Sequence, residues 1–271
     1  MNTKATMTGY TVSPRFGKPN STYYNFKVYN PAGTLTLSVK LYDRATGAIT
    51  YLPMTKTGSY WLLSMKISNS GCYAYNYVYS INKNPISSSA SYADLWNSKN
   101  TFSASGTSSL SWPFGADGSS WSNRLGWIGA NESGGCGSGP GQGGHYNQGC
   151  QADDTYAVDW NKNCSTPYAD NGATVKSPMD GKVIRIMNNV TGYGYAVDIE
   201  QEAVDGIKYV FRIAHLKYYP SVSLNSYIKA GTTIGYIGMS GGTSTAPHGH
   251  CVLYNNNGSC KIGVRFTFNA Q

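Results

Sequence analysis

The run Thr245-Ala246-Pro247-His248-Gly249-His250-Cys251-Val252-Leu253-Tyr254 sets two of the chain's four histidines one residue apart, just ahead of an apolar tail. Past Pro247 it reads as a strand, whose side chains alternate between two faces. His248 and His250 therefore point to one face of a sheet, and Gly249 and Cys251 to the other. Two imidazoles then share one pocket on a sheet, which argues for a fold built of strands.

Neutral imidazole is the commonest zinc ligand, and a catalytic zinc site needs three protein ligands with one position open for water. A third ligand, acidic or histidine, is expected. Asp159 in the strand-like run Thr155-Tyr-Ala-Val-Asp159-Trp160 is one candidate, and His145, which ends the glycine-rich stretch Gly134–Gly144, is the other. His215 closes a further apolar run, Tyr209-Val-Phe-Arg-Ile-Ala-His215, and completes the set. Each alone has a plainer reading: a strand-end histidine is usually a hydrogen-bonded rim residue, and a lone aspartate a turn carboxylate. The conjunction favours a metal site.

The order His145, Tyr156-Ala-Val-Asp159-Trp, Ile213-Ala-His215-Leu and Ser244-Thr-Ala-Pro-His248-Gly-His250 resembles the zinc endopeptidases of the lysostaphin type, peptidase family M23. The long gap from His145 to Asp159 and the glycine-rich loop beside it are closer to the staphylolytic and beta-lytic branch. Val175–Ile186 resembles the strand and turn after the family's Asp ligand, and Ile228–His250 the Lys-x-Gly-x-x-Ile-Gly segment that leads into its His-x-His. The similarity runs from about Ser111 to Phe268. It implies His145, Asp159 and His250 as zinc ligands. It further implies His248 as general base on a zinc-bound water and His215 as a stabiliser of the developing oxyanion, both catalytic. Two departures, Gly249 between the histidines and Cys251 in place of an aromatic, fall on the face away from zinc and touch packing rather than ligation.

Composition supports an exported protein. The chain is poor in charge, has 23 Tyr and 32 Gly, and contains no run long enough to span a bilayer. Met1–Met7 lacks the apolar core of a leader, so the sequence reads either as a mature form with an added Met or as a recombinant form of a secreted protein, expected to be a monomer. Six cysteines point to disulfides in an oxidising compartment. Cys72 alone lies in the first half, so either one bridge joins the two halves or one thiol in each stays free. Cys251 and Cys260 flank a turn and are candidates to pair across a hairpin. Two of Cys136, Cys150 and Cys164 would stiffen the loop around His145. No Cys-x-x-Cys spacing suggests a cysteine zinc site.

Residues 1–110 hold ten Lys and Arg against Asp43 and Asp94, and the remainder is balanced, so the whole net charge of +8 lies in the first part. That part is expected to meet an anionic wall polymer or a glycan. Scattered basic residues and the absence of a recognisable motif argue against nucleic acid. Alternating runs such as Tyr23–Asn30 and Leu35–Asp43, separated by glycine turns, predict a β-sandwich over 1–84. Their spacing resembles early-set immunoglobulin-like modules found beside carbohydrate-active domains. Its aromatic residues, Trp61 and Tyr79 included, are read as core ahead of a sugar platform. A Ser-rich linker is expected over 85–110, with one short helical turn in Ser91–Lys99, and the peptidase domain over 111–271.

The whole chain is thus expected to be all-β: an immunoglobulin-like sandwich followed by an antiparallel-sheet metallopeptidase. The function implied is hydrolysis of peptidoglycan cross-bridge or stem peptides with Zn2+ as cofactor, Gly-Gly or Gly-X bonds favoured. The alternative is a wall-binding or regulatory module with a structural or vestigial zinc site.

Overall fold

The computed structural model describes residues 9–29, 36–81, 84–87, 94–114, 128–129, 151–152, 154–162, 168–256 and 260–269. Every regular element among them is a strand, and the all-β expectation holds. The chain divides into two compact units, Met1–Lys99 and Asn100–Gln271.

In the first unit β1 (Tyr10–Ser13), β3 (Tyr23–Tyr29), β6 (Thr55–Thr57) and β7 (Tyr60–Lys66) form one sheet in the order β1-β3-β7-β6. The second sheet holds β2 (Phe16–Gly17), β4 (Thr36–Asp43), β5 (Ile49–Pro53), β8 (Gly71–Ile81), β9 (Asn84–Ser87) and β10 (Leu95–Asn97), in the order β2-β10-β8-β4-β5 with β9 on β8. Alternation places Tyr24, Phe26 and Val28 of β3 against Leu37, Val39 and Leu41 of β4 and the tyrosines of β8 in one buried core. Trp61 and Tyr79 belong to that core.

The stretch expected as a helical turn departs from its reading. Leu95–Asn97 is a strand, antiparallel to β8 and parallel to β2. Leu95 and Trp96 are both buried, and pairing on two sides satisfies backbone groups that one isolated turn would leave bare. Thr107–Ser111, at the end of the expected linker, is β11 and pairs with the C-terminal strand β23 (Arg265–Asn269).

The second unit is built on a large sheet. It holds β12 (Ile128–Gly129), β13 (Gln151–Ala152), β14 (Val158–Asn161), β16 (Gly181–Asn189), β17 (Gly194–Glu202), β18 (Lys208–Leu216), β19 (Tyr227–Ile228), β21 (Gly249–Asn256) and β22 (Lys261–Gly263). Its central order is β12-β14-β21-β18-β17-β16-β19, with every neighbouring pair in that path antiparallel. A separate pair, β15 (Thr174–Lys176) and β20 (Thr233–Tyr236), lies outside it. One face of the sheet carries Val158, Trp160, Val197, Ile199, Phe211, Ile213, Cys251 and Leu253 into the main core. The other face carries smaller clusters, among them Val210, Val252, Tyr254 and Ala214, together with polar residues buried just as deeply. The near-unbroken apolar reading of β18 and β21 follows from burial on both sides.

Cys251 is free and buried in the second unit, and Cys72 is buried in the first. The Cys251–Cys260 bridge considered from the hairpin spacing therefore does not form. Cys251 points into the main core, as its alternation from His250 requires, and burial pushes its thiol well above the usual range. Cys136, Cys150 and Cys164 lie outside the described residues.

Candidate metal centre and active site

Asp159, His250 and Ala214 sit directly beside one another on β14, β21 and β18, so three adjacent strands bring them to one level of the polar face. His250 Nδ1 lies 2.9 Å from Asp159 Oδ1. On the opposite edge of the same ring, Nε2 lies 2.9 Å from Asp154 Oδ1, in the turn before β14. Burial alone would lower the pKa of His250, but the hydrogen bonds it donates to Asp154 and Asp159 outweigh it and raise it above the ordinary value.

His248 lies just before β21, held by a bridge to Gly238. Its Nε2 is 3.6 Å from Asp159 Oδ1. Its Nδ1 lies 2.8 Å from the Ala246 carbonyl oxygen. A carbonyl only accepts, so Nδ1 carries the proton and Nε2 the lone pair in the neutral ring.

His215 reaches the centre through an irregularity. Tyr195 pairs with Leu216 but Val197 with Ile213, so Ala196 faces two residues, Ala214 and His215. His215 adopts φ 58°, a left-handed conformation that costs energy for a side-chain residue and that such bulges hold at functional sites. Without the bulge, alternation from Ile213 would send His215 into the main core; Leu216 takes that place instead. The His215 ring lies 4.9 Å from that of His248 and 5.7 Å from that of His250, centroid to centroid.

A close loop contact anchors the bulge. His215 Nδ1 lies 2.8 Å from the Ser240 carbonyl, and the Ser240 hydroxyl donates to Leu216 O at 2.6 Å while accepting from Tyr195 N at 2.9 Å. Ser240 comes so near only because Gly194, at φ 64°, has no Cβ: one added there would stand 2.3 Å from the Ser240 backbone. Burial above all, with the neighbouring His248 and His250 adding to it, lowers the pKa of His215 to about 4 despite the Ser240 contact. His215 is thus neutral at neutral pH, with its Nε2 bare.

Ligand atoms of His215, His248 and His250 lie within 4.8 Å of one another, close enough for one ion. Imidazole and carboxylate are donors that suit zinc, and His250 and Asp159 bring one of each to this centre, with the imidazoles of His215 and His248 beside them. Of the five residues singled out from the sequence, four converge here: Asp159, His215, His248 and His250. His145 lies outside the described residues. Asp154, Tyr193 and Ser240 were not singled out. The Asp153-Asp154 pair just ahead of Asp159 was a signal for the first, and nothing in the sequence marked the other two.

Gly249 also finds its reason. A Cβ there would stand 2.6 Å from Phe114 Cζ, and Phe114 packs against Trp112 and Trp160. The aromatic ring fills the space under the His-x-His strand that a side chain at 249 would need.

Among solved structures, the catalytic domain of the antimicrobial peptidase lysostaphin from Staphylococcus simulans is 29% identical over 47% of this chain and 86% of that one, with a TM-score of 0.34. The catalytic domain of the prophage-encoded M23 protein EnpA from Enterococcus faecalis is 23% identical over 48% and 90%, with a TM-score of 0.34. A putative M23 peptidase from Pseudomonas aeruginosa is 14% identical over 83% and 85%, with a TM-score of 0.31. No curated protein matches the chain. The profile of peptidase family M23 matches residues 164–261, a span that includes His215, His248 and His250 and begins after Asp159. The second unit of this chain contains a peptidase family M23 domain.

Proposed function

We propose that this protein is a secreted zinc endopeptidase that hydrolyses cross-bridge or stem peptides of bacterial peptidoglycan, with Gly-Gly or Gly-X bonds favoured. The observation that carries the reading is the meeting of Asp159 and His250, in register on adjacent strands, with His215 and His248 around one centre. The family match supports peptidase chemistry, and the composition supports export.

Asp159 and His250, with His145, would hold the zinc. When bound, the metal supplies a Lewis acid that polarises the scissile carbonyl and acidifies water. His248, with its proton committed to Ala246 O, offers the Nε2 lone pair that takes the proton of the attacking water. The oxyanion role expected of His215 needs an N–H on Nε2, whereas its proton sits on Nδ1 against Ser240 O. His215 therefore starts as an acceptor and donates to the oxyanion or the leaving amine only after it has itself taken up a proton.

The ligand assignment is tested by metal analysis. His145→Ala, Asp159→Ala and His250→Ala should each lower the zinc content of purified protein. Full zinc occupancy in all three variants would remove the assignment.

A further inference from the structure

On the same face of the sheet as the candidate site, charges are buried where apolar residues would be expected. Asp198 and Arg212 are cross-strand partners on β17 and β18. Their side chains are each 1% exposed, and they pair through a fork, Nε to Oδ1 at 2.8 Å and Nη2 to Oδ2 at 3.0 Å. Tyr254 donates to Asp198 Oδ2 at 3.0 Å. The Arg212 guanidinium lies 5.2 Å from the ring of Tyr254 and 4.9 Å from that of Tyr193. Despite burial, which opposes it, the Asp198 hydrogen bonds keep Arg212 charged. Tyr193 in turn donates from its hydroxyl to Asp154 Oδ1 at 3.1 Å, the same oxygen that meets His250 Nε2.

A buried ion pair of this kind is costly to desolvate and a weak source of stability. Its position suggests another use. The chain of contacts Tyr254, Asp198, Arg212, Tyr193, Asp154 ends on one ring, His250.

An imidazole that binds a metal through one nitrogen keeps its proton on the other and needs an acceptor there. The two nitrogens of His250 face two different carboxylates on opposite edges of the ring, and one ion cannot take both edges. His248 Nε2 lies beside Asp159, which marks the Nδ1 edge as the metal side. We infer that Asp154 is a positioning residue for the metal centre: it accepts the Nε2–H of His250 and so turns the Nδ1 lone pair toward the metal. Tyr193, braced on the Arg212–Asp198 pair, holds the Asp154 carboxylate in place. This rests on the zinc reading above and adds to it a carboxylate outside the ligand set.

The test is zinc affinity of the full chain, measured by competition with a chromophoric chelator. Asp154→Ala should still bind one zinc per chain at saturation, with affinity weaker by about 10–100-fold. Asp154→Asn keeps an oxygen that accepts from Nε2–H and should recover most of the loss, so a folding defect in the alanine variant does not hide the answer. Tyr193→Phe, which leaves the acceptor but frees it to move, should fall between wild type and Asp154→Ala. In the zinc-loaded protein, long-range proton–nitrogen NMR should find the His250 proton on Nε2 and the metal on Nδ1. Unchanged affinity in Asp154→Ala would overturn the inference. So would loss of all binding at saturation in both Asp154 variants, which would make Asp154 a ligand. A wild-type chain that binds no zinc is a different result, since it sinks the metallopeptidase reading itself.

Discussion

At the scale of single residues, we propose that His215 and His248 act beside the metal rather than hold it. Each has one nitrogen tied to a backbone carbonyl and the other turned to the centre. His215→Ala and His248→Ala should keep their zinc and lose the chemical step by about a hundredfold or more on a short soluble peptide. Near-normal turnover in either variant would take that residue out of the mechanism. Gly249 makes a packing prediction. Because Phe114 is buried among other rings and cannot swing aside, Gly249→Ala should destabilise the protein by about 1–3 kcal/mol in denaturant unfolding. A neutral effect would mean that the ring yields easily.

At the scale of elements, the His-x-His strand was legible and the His215 strand was not. Alternation in β21 correctly sent Cys251 to the core and His250 to the other face, because an uninterrupted strand has a strict period of two. The same rule sends His215 to the wrong face. The bulge that corrects it depends on Tyr195, Gly194 and Ser240, which are distant in sequence or lack any chemical signature. Arg212 was visible as a charge inside an apolar run, but its partner Asp198 lies across a strand pairing that the sequence did not specify. The short strand at Leu95 was missed for a related reason: its pairing comes from β8 and β2, not from its own pattern. Gly194→Ala tests the anchored bulge. Displacing Ser240 should release His215 Nδ1 and lower kcat while zinc content stays near normal. Retained kcat would show that the Ser240 contact does not position His215.

At the scale of the molecule, a basic unit and a unit of balanced charge share one chain. The first carries the net charge, and several of its exposed or half-buried tyrosines lie next to lysines. Lys27 Nζ is 3.9 Å from the ring of Tyr60 and 4.7 Å from that of Tyr29, and Lys66 is 4.7 Å from that of Tyr23. We propose that this surface meets an anionic wall polymer. Binding of the full chain to sacculi should weaken as salt rises, since exposed charges are screened over roughly 10 Å at 0.1 M ionic strength. Lys27→Glu with Lys66→Glu should slow lysis of sacculi while cleavage of a soluble peptide stays unchanged. Salt-insensitive binding competed by a neutral glycan would replace the charge account with a sugar platform. The central claim, peptide-bond hydrolysis in the wall, is tested most directly by mass spectrometry of fragments released from purified sacculi of defined cross-bridge type. The account predicts fragments cut within the cross-bridge or stem peptide, with new amino termini at Gly-Gly or Gly-X bonds, and no release after zinc is stripped. Release of fragments cut only in the glycan, or none from any sacculus by zinc-loaded protein, would contradict it.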